Sequence, residues 1–348
     1  MTRTELAAAV NQAIDELFPD QNNKADEVDG RWIGALERGD HSWPSVKRRA
    51  GLRDALGVST DADIGLHIAR GQNLAGATGL PRQPAVIDTS TPHPARRYNY
   101  WLGGKDHFAA DRESGDAIAA AFPTVPTGAR ENRAFLRRVV RYLARNGIRQ
   151  FLDIGTGLPV PDNTHEIAQR ISPLSRVLYV DNDPIVLTHA RALLTGDPRG
   201  RTGYLQADLH DPQSILTSVE LRETLSLDEP VGLLLVSVLP FLHDDNQVLA
   251  IVRQLLDALP SDSYLAVSHF TMDYVTGAAR AAYQKMYDEG RADARARPEA
   301  TFRQFFQGLD LIEPGIVSVN DWHPEDLDNP NRPSAADLFN HAAVGRVP

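Results

Sequence analysis

Three apolar runs that each close on an aspartate constrain the fold of this chain more than any other feature. They are Phe151-Leu152-Asp153, Val177-Leu178-Tyr179-Val180-Asp181 and Tyr204-Leu205-Gln206-Ala207-Asp208. Helical segments separate them, and near-continuous apolar strands alternating with helices specify a parallel sheet covered on both faces. Two further runs extend the series. Strands are therefore expected at Gln150–Ile154, Arg176–Val180, Thr202–Ala207, Val231–Val238 and Tyr264–His269. A helix is expected from about Ala129 to Asn146, and a long polar helix, suited to a lid, from Asp273 to Arg297. Another is expected over Thr301–Gly308, and Gly315–Trp322 with Asn340–Arg346 reads as a closing antiparallel pair.

The first run turns at once into Ile154-Gly155-Thr156-Gly157-Leu158-Pro159. Glycines there let backbone approach a ligand where a side chain would collide. Asp181, ending the second strand before Asn182, is placed to bind both ribose hydroxyls of an adenosine. Asp208, before Leu209, can accept a hydrogen bond from the adenine amino group. Such acids also cap the helices that follow them, and the two roles can coexist. A dinucleotide fingerprint would continue to a third glycine, with the pyrophosphate on a helix N-terminus; Pro159 and Pro161 stand there instead. Asp153 suits an ammonium group. The pattern thus points to S-adenosylmethionine (SAM) rather than a nicotinamide cofactor, held by Asp153, Gly155, Thr156, Gly157, Asp181, Asn182, Asp208 and Leu209.

From Ile87 to Pro348 the chain resembles a family of SAM-dependent methyltransferases from actinomycete-like bacteria. The resemblance is carried by Pro94-Ala95-Arg96-Arg97-Tyr98-Asn99-Tyr100-Trp101-Leu102-Gly103-Gly104-Lys105-Asp106-His107-Phe108, Ala110-Asp111-Arg112-Glu113, Glu131-Asn132-Arg133-Ala134-Phe135-Leu136, the Gln150–Pro159 turn, Tyr179-Val180-Asp181-Asn182-Asp183-Pro184 and Ala343-Val344-Gly345-Arg346. It implies an α/β fold, the class I SAM-methyltransferase Rossmann-like sheet with helices on both faces, with SAM at the strand C-termini. It names no substrate. One departure stands out: the family's usual Leu-His-Phe after the fourth strand is here Leu239-Pro240-Phe241-Leu242-His243, which displaces the histidine.

Methyl transfer from a sulfonium is mainly a matter of positioning, with a general base where the nucleophile carries a proton. In this fold the acceptor lies beyond strands four and five, near Ser237, His243, Asp244, Asp245, Ser268 and His269. Histidine has an unperturbed pKa near 6.5, so His243 and His269 are the expected bases, with Asp244 or Asp245 orienting one of them. His269 leaves an apolar strand, so a purely structural role stands beside the catalytic one. Tyr98, Tyr100, Trp101 and Lys105 lie in a segment expected to cover the cofactor, and Gly103-Gly104 favours close ligand approach. Tyr100, Gly103 and Ser237 are accordingly added to the cofactor set. Tyr283, Met286 and Tyr287 either line the acceptor pocket or pack the lid.

Composition narrows the remaining options. The chain has no cysteine, which excludes disulfides, thiolate metal sites and thiol nucleophiles and fits a cytoplasmic location. No metal is expected. No apolar run approaches the roughly 20 residues that span a bilayer, and the N-terminus lacks the basic-then-apolar order of a signal peptide. A net charge of -10 disfavours nucleic acid as a partner and favours a small-molecule acceptor, with a homodimer also among the expectations.

Residues 1–72 read as a small helical domain, with Thr4 capping the first helix, Trp32–Gly39 a second, and Leu52, Leu56 and Val58 on a third. Residues 73–90 read as a linker and 91–348 as the SAM-dependent domain. The first segment resembles an Xre-type helix-turn-helix, with an over-long turn at Pro19–Asp29 and a basic cluster at Lys47, Arg48, Arg49 and Arg53. A DNA reader should be basic on its docking face, whereas this segment carries more acids than bases. Three functions remain open at this level: small-molecule methylation, as in specialised metabolism; a SAM-sensing DNA-binding regulator; and a protein methyltransferase docking through the first domain. Residues 1–72 are expected to be dispensable for SAM binding. Calorimetry on a chain beginning at residue 73 should give the full-length affinity, and a folded but non-binding truncation would move the boundary.

Overall fold

The computed structural model describes residues 2–17, 27–37, 46–56, 88–194, 196–275, 277–325 and 329–348. The chain divides into two compact units, Met1–Arg82 and Gln83–Pro348. In the first, α1 (Arg3–Leu17), α2 (Gly30–Glu37) and α3 (Val46–Leu56) bury Ala7, Val10, Ile14, Val28, Ile33 and Leu52 together. α1 and α3 approach so closely that a Cβ on Gly51 would lie 2.7 Å from the Ile14 side chain. The first cap falls at Thr2 rather than Thr4. Glu5 N donates to Thr2 Oγ1 at 3.3 Å and Thr2 N to Glu5 Oε2 at 2.6 Å, sealing the first turn reciprocally. Gly39, Val58 and most of the expected linker lie outside the described residues.

In the second unit, α4 (Pro94–Trp101), α5 (Ala109–Ala121) and α6 (Val125–Arg145) precede β1 (Gln150–Ile154) and α7 (Thr164–Ile171). Next come β2 (Arg176–Asp181), α8 (Pro184–Leu193), β3 (Arg201–Gln206), α9 (Pro212–Leu216) and α10 (Val219–Thr224). β4 (Val231–Val236), α11 (Asp245–Asp257) and β5 (Tyr264–Phe270) complete the alternating series. The chain ends with α12 (Ala278–Asp288), α13 (Glu299–Phe302), β6 (Asp310–Leu311), β7 (Val317–Ser318), α14 (Ala335–Leu338) and β8 (Asn340–Arg346).

The strand order is β3-β2-β1-β4-β5-β8-β6, with β7 also pairing β8. β1 to β5 are parallel, and β8 runs antiparallel to β5 from Tyr264↔Arg346 to Phe270↔Asn340. Side chains alternate between faces along each strand. Leu152, Leu178, Leu233 and Leu265 pack with Val248, Ile251 and Leu255 of α11 on one face. Phe151, Val177, Leu234 and Ala266 pack with Phe135, Val139 and Leu143 of α6 on the other. This is the class I SAM-methyltransferase Rossmann-like architecture, and its loops after β1 to β5 open at one edge.

Several expected elements differ in extent. β4 stops at Val236 because Ser237 takes φ 59°, outside the strand region. The proposed lid helix shrinks to Ala278–Asp288: Gly290 adopts φ 67°, and residues 289–298 continue as an irregular strap, pinned where Arg295 N donates to Pro240 O at 2.7 Å and Arg297 N to Phe270 O at 3.1 Å. Only Val317 and Ser318 of the expected penultimate strand pair with β8. The segment expected as a helix from Thr301 passes from α13 into a 3-10 turn at Arg303–Phe306.

Trp322, fully buried, locks the C-terminal region onto α6. Its ring meets Phe135 and Tyr142 edge-on at 5.6 and 5.5 Å, while Arg138 Nε donates to its carbonyl at 2.9 Å. Trp322→Ala is expected to lower the unfolding free energy by about 3–5 kcal/mol. Denaturant titration followed by circular dichroism measures this, and a loss below 1 kcal/mol would show the contact to be dispensable.

Candidate active site

The loops leaving β1 to β5 enclose a cavity of about 300 Å³. Asp153, Gly155, Thr156, Gly157, Asp181, Asn182, Asp208, Leu209 and Ser237 all line it. Backbone geometry explains part of this convergence. Gly155 and Gly157 adopt φ 75° and 69°, a region costly for residues with a Cβ, and a Cβ on Gly155 would lie 2.5 Å from Val238. The same turn is stitched to β2 by Gly155 N donating to Val180 O at 2.8 Å and Gly157 N to Asp181 Oδ2 at 2.9 Å. Ser237 keeps its strained backbone conformation beside the cavity, where its N–H donates to Ser268 O at 3.1 Å.

The two innermost carboxylates are electrostatically poised. Burial pushes the Asp153 carboxyl up to about 6, opposed by the hydrogen bond from Thr164 Oγ1 at 2.6 Å and by the charge of Arg133, with Asp181 adding to the rise. Burial also raises Asp181, against backbone hydrogen bonds from Asp183 and Gly157. Asp208 is half-exposed and accepts from His210 N at 2.9 Å.

Of the residues expected to hold the cofactor or act as base, His243, His269, Tyr100 and Gly103 fall outside the cavity walls. His269 is fully buried: Arg297 Nη1 lies 3.0 Å from its Nε2, its Nδ1 faces Phe270 O at 2.7 Å, and its ring stacks on Phe305. Burial pushes its pKa down to about 3, so it stays neutral and locked between backbone and arginine. His243 sits behind the strap, with Nε2 2.9 Å from Asp293 O and Nδ1 3.3 Å from Tyr287 OH. Neither expected orienting acid serves a histidine. Asp244 caps α11 through Gln247 N, and Asp245 binds Arg295 and Arg297, each at 2.8 Å. Tyr100 points to Asp116 on α5 at 2.7 Å, and Gly103 forms the turn after α4.

Other residues take their places. On α4, Pro94, Arg97, Tyr98 and Trp101 share the face toward the cavity, the three- and four-residue spacing of a helix. That spacing excludes Tyr100 from the face, so this part of the site was readable from periodicity. Arg133 on α6 also lines the cavity. It is 8% exposed, its terminal Nη2 donates to Asp162 O and Asn163 Oδ1, each at 3.2 Å, and its Nε has no hydrogen-bond partner. Tyr283 and Met286 of α12 face the cavity while Tyr287 turns to His243. Among the described residues, no helix is long and apolar enough to cross a membrane.

Comparison with known proteins places this arrangement. The family model described as S-adenosyl methyltransferase matches residues 81–348. A crystal structure of a DUF574 family protein from Streptomyces avermitilis is 46% identical, with TM-score 0.71, over 76% of this chain and 100% of the other. A protein from Thermobifida fusca, provisionally described as a methyltransferase, is 38% identical with TM-score 0.68, over 75% of this chain and 97% of its own. No curated protein matches. With the family model spanning most of its length and the strand-end acids gathered around one cavity, the chain belongs to the S-adenosyl methyltransferase family and is a SAM-dependent methyltransferase.

Proposed function

We propose that the protein methylates a small molecule, with the cofactor's nucleoside on the β2 and β3 side of the cavity and its methionine end between Arg133 and Asp153. The observation that carries this reading is the pairing of a buried arginine, one donor unpartnered, with a buried carboxylate at the end of β1. The methionine end of SAM is a zwitterion. Arg133 offers its guanidinium to the carboxylate, and Asp153 offers its carboxylate to the ammonium. The open space around Gly157, where a Cβ would meet nothing within 4 Å, leaves room for a ligand against the turn. Asp181 receives the ribose hydroxyls, and Asp208 with Leu209 the adenine.

Bound SAM supplies a methyl group already activated on a sulfonium. The protein's residues position that methyl, exclude water and hold the acceptor in line with it. The enclosed, strap-covered cavity suits a small acceptor.

Three outcomes test the assignment. Asp181→Ala should weaken SAM binding by about 1–3 kcal/mol, the effect of leaving buried polar groups unpaired; unchanged calorimetric affinity would remove Asp181 from the site. Arg133→Met should weaken SAM by a similar amount yet leave 5′-methylthioadenosine, which lacks the amino-acid end, bound as in the wild type. Equal losses for both ligands would make Arg133 a structural residue. The third test is pH. Asp153 in the free protein titrates near 6 and must be ionised to pair with an ammonium, so SAM affinity should fall as pH drops through about 6. The limiting slope is about tenfold per pH unit, and Asp153→Asn should flatten it.

A further inference from the structure

The cavity changes character along the open edge of the sheet. Neighbouring strands lie about 4.8 Å apart, so β3 to β5 spans about 19 Å, enough for two ligands side by side. The β3-β2-β1 side carries Asp208, Asp181 and Asp153. The β5-β8 side is walled by Phe122, Phe270, Tyr283, Met286 and Phe339. These walls come from separate elements but touch one another: Phe122 meets Phe339 edge-on at 5.8 Å, and Phe270 meets Tyr283 at 5.1 Å. Ring edges and faces around a small space complement a flat aromatic body.

The polar atoms on this side are mostly committed. Tyr283 OH accepts from Ala296 N at 2.7 Å and donates to Ala294 O at 2.8 Å. Asn132 donates to Tyr98 OH at 3.0 Å and accepts from Ser268 Oγ at 2.5 Å. Asn340 Nδ2 donates to Leu338 O at 2.7 Å. Among the described residues, the ionised groups lining this half are Arg97 and Asp293. Arg97 is buried, and its Nη2 reaches both carboxylate oxygens of Asp293, at 2.7 and 2.5 Å. The pair is neutral as a unit. An acceptor carrying a full charge would have to break it or face a like charge. Asp293 is 44% exposed, and a carboxylate has about four acceptor positions, so lone pairs remain after Arg97 is served. His243 fixes the same residue by bonding its carbonyl, which makes the histidine a positioning residue for the strap.

We infer that the β5-β8 half of the cavity takes an uncharged aromatic acceptor whose N–H or O–H is received by Asp293. The inference rests on the reading of the other half as the SAM site. During transfer the acceptor's lone pair forms the new bond to the methyl carbon. The old carbon–sulfur electron pair stays on sulfur, and the acceptor's proton passes to the Asp293 carboxylate.

The test uses full-length protein saturated with S-adenosylhomocysteine and two matched probes, 2-naphthol and 2-naphthoate. Wild type should bind the naphthol about tenfold or more tightly than the naphthoate. Asp293→Asn leaves Arg97 uncompensated and should narrow or invert that preference, with S-adenosylhomocysteine affinity unchanged. Should that variant fail to fold, Arg97→Met gives the mirror result: an unpaired carboxylate that favours the 2-naphthylmethylammonium cation over naphthol. Equal binding of naphthol and naphthoate by wild type, no uptake of either probe, or a preference untouched by the substitutions would overturn the inference. Failure of S-adenosylhomocysteine itself to bind would overturn the cofactor reading beneath it.

Discussion

A single buried carboxylate holds the cavity in register. Asp183 accepts from Arg96 Nε at 2.8 Å and Nη2 at 3.2 Å, caps α8 through Ile185 N at 2.9 Å, and donates its own N–H to Asp181 Oδ1 at 2.9 Å. Both partners of the ion pair are buried, so neither can be solvated if the other is lost, and removing one partner of such a pair typically costs 3–5 kcal/mol. The geometric result is that α4, distant in sequence, is tied to the end of β2 beside Asp181. Arg97, Tyr98 and Trp101 stand over the strand ends because Arg96 is anchored there.

From that anchor the two halves of the cavity acquire opposite chemistry for ordinary structural reasons. Parallel strands with helical crossovers leave their C-terminal ends free, and short acidic residues there can receive backbone N–H groups while facing a ligand. On the β5 side the next strand is antiparallel and the covering elements are α12, the strap and the turn into β8. They meet by packing apolar surface, in the cluster of Phe122, Met272, Val275, Tyr283, Met286 and Phe339. Polarity therefore falls from β3 toward β8.

The sheet and the gathering of acids and glycines at its open edge were legible because both are written locally. Each strand is a contiguous apolar run, and Asp153, Gly155, Gly157, Asp181 and Asp208 follow their strands within a residue or two. What escaped was set by distant partners. His269 looks reactive in sequence, but Arg297 and two phenylalanines from α13 and the turn after it enclose it. His243 stands near the fourth strand, yet one of its nitrogens meets Asp293 of the strap fifty residues later and the other Tyr287 of α12. Arg133 and Asp293, proposed above for the methionine end and the acceptor, gave no local chemical signal, because an arginine in a helix and an aspartate in a polar stretch are ordinarily solvated. Tyr100 was a smaller error, an aromatic counted without its helical phase. Gly290 ended a helix that composition alone would have continued.

The position of β8 has a consequence for how the cavity is assembled. β1 to β3, and β4 with β5, can form from neighbouring strand–helix–strand units, whereas β4 returns to β1 across 81 residues, Gln150↔Val231, and β8 pairs with β5 across 70 to 82 before carrying β6 and β7 on its other edge. Contacts of that separation are entropically late, so β1, β2 and β3 can be ordered while Phe339 and Asn340 are still unplaced. The same hierarchy operates in the folded protein. An opening confined to β8 and its short partners would dissolve the aromatic wall and leave the strand-end acids untouched. The half proposed for the acceptor thus depends on a strand joined only by long-range pairing, and the half proposed for the nucleoside on strands joined to their sequence neighbours.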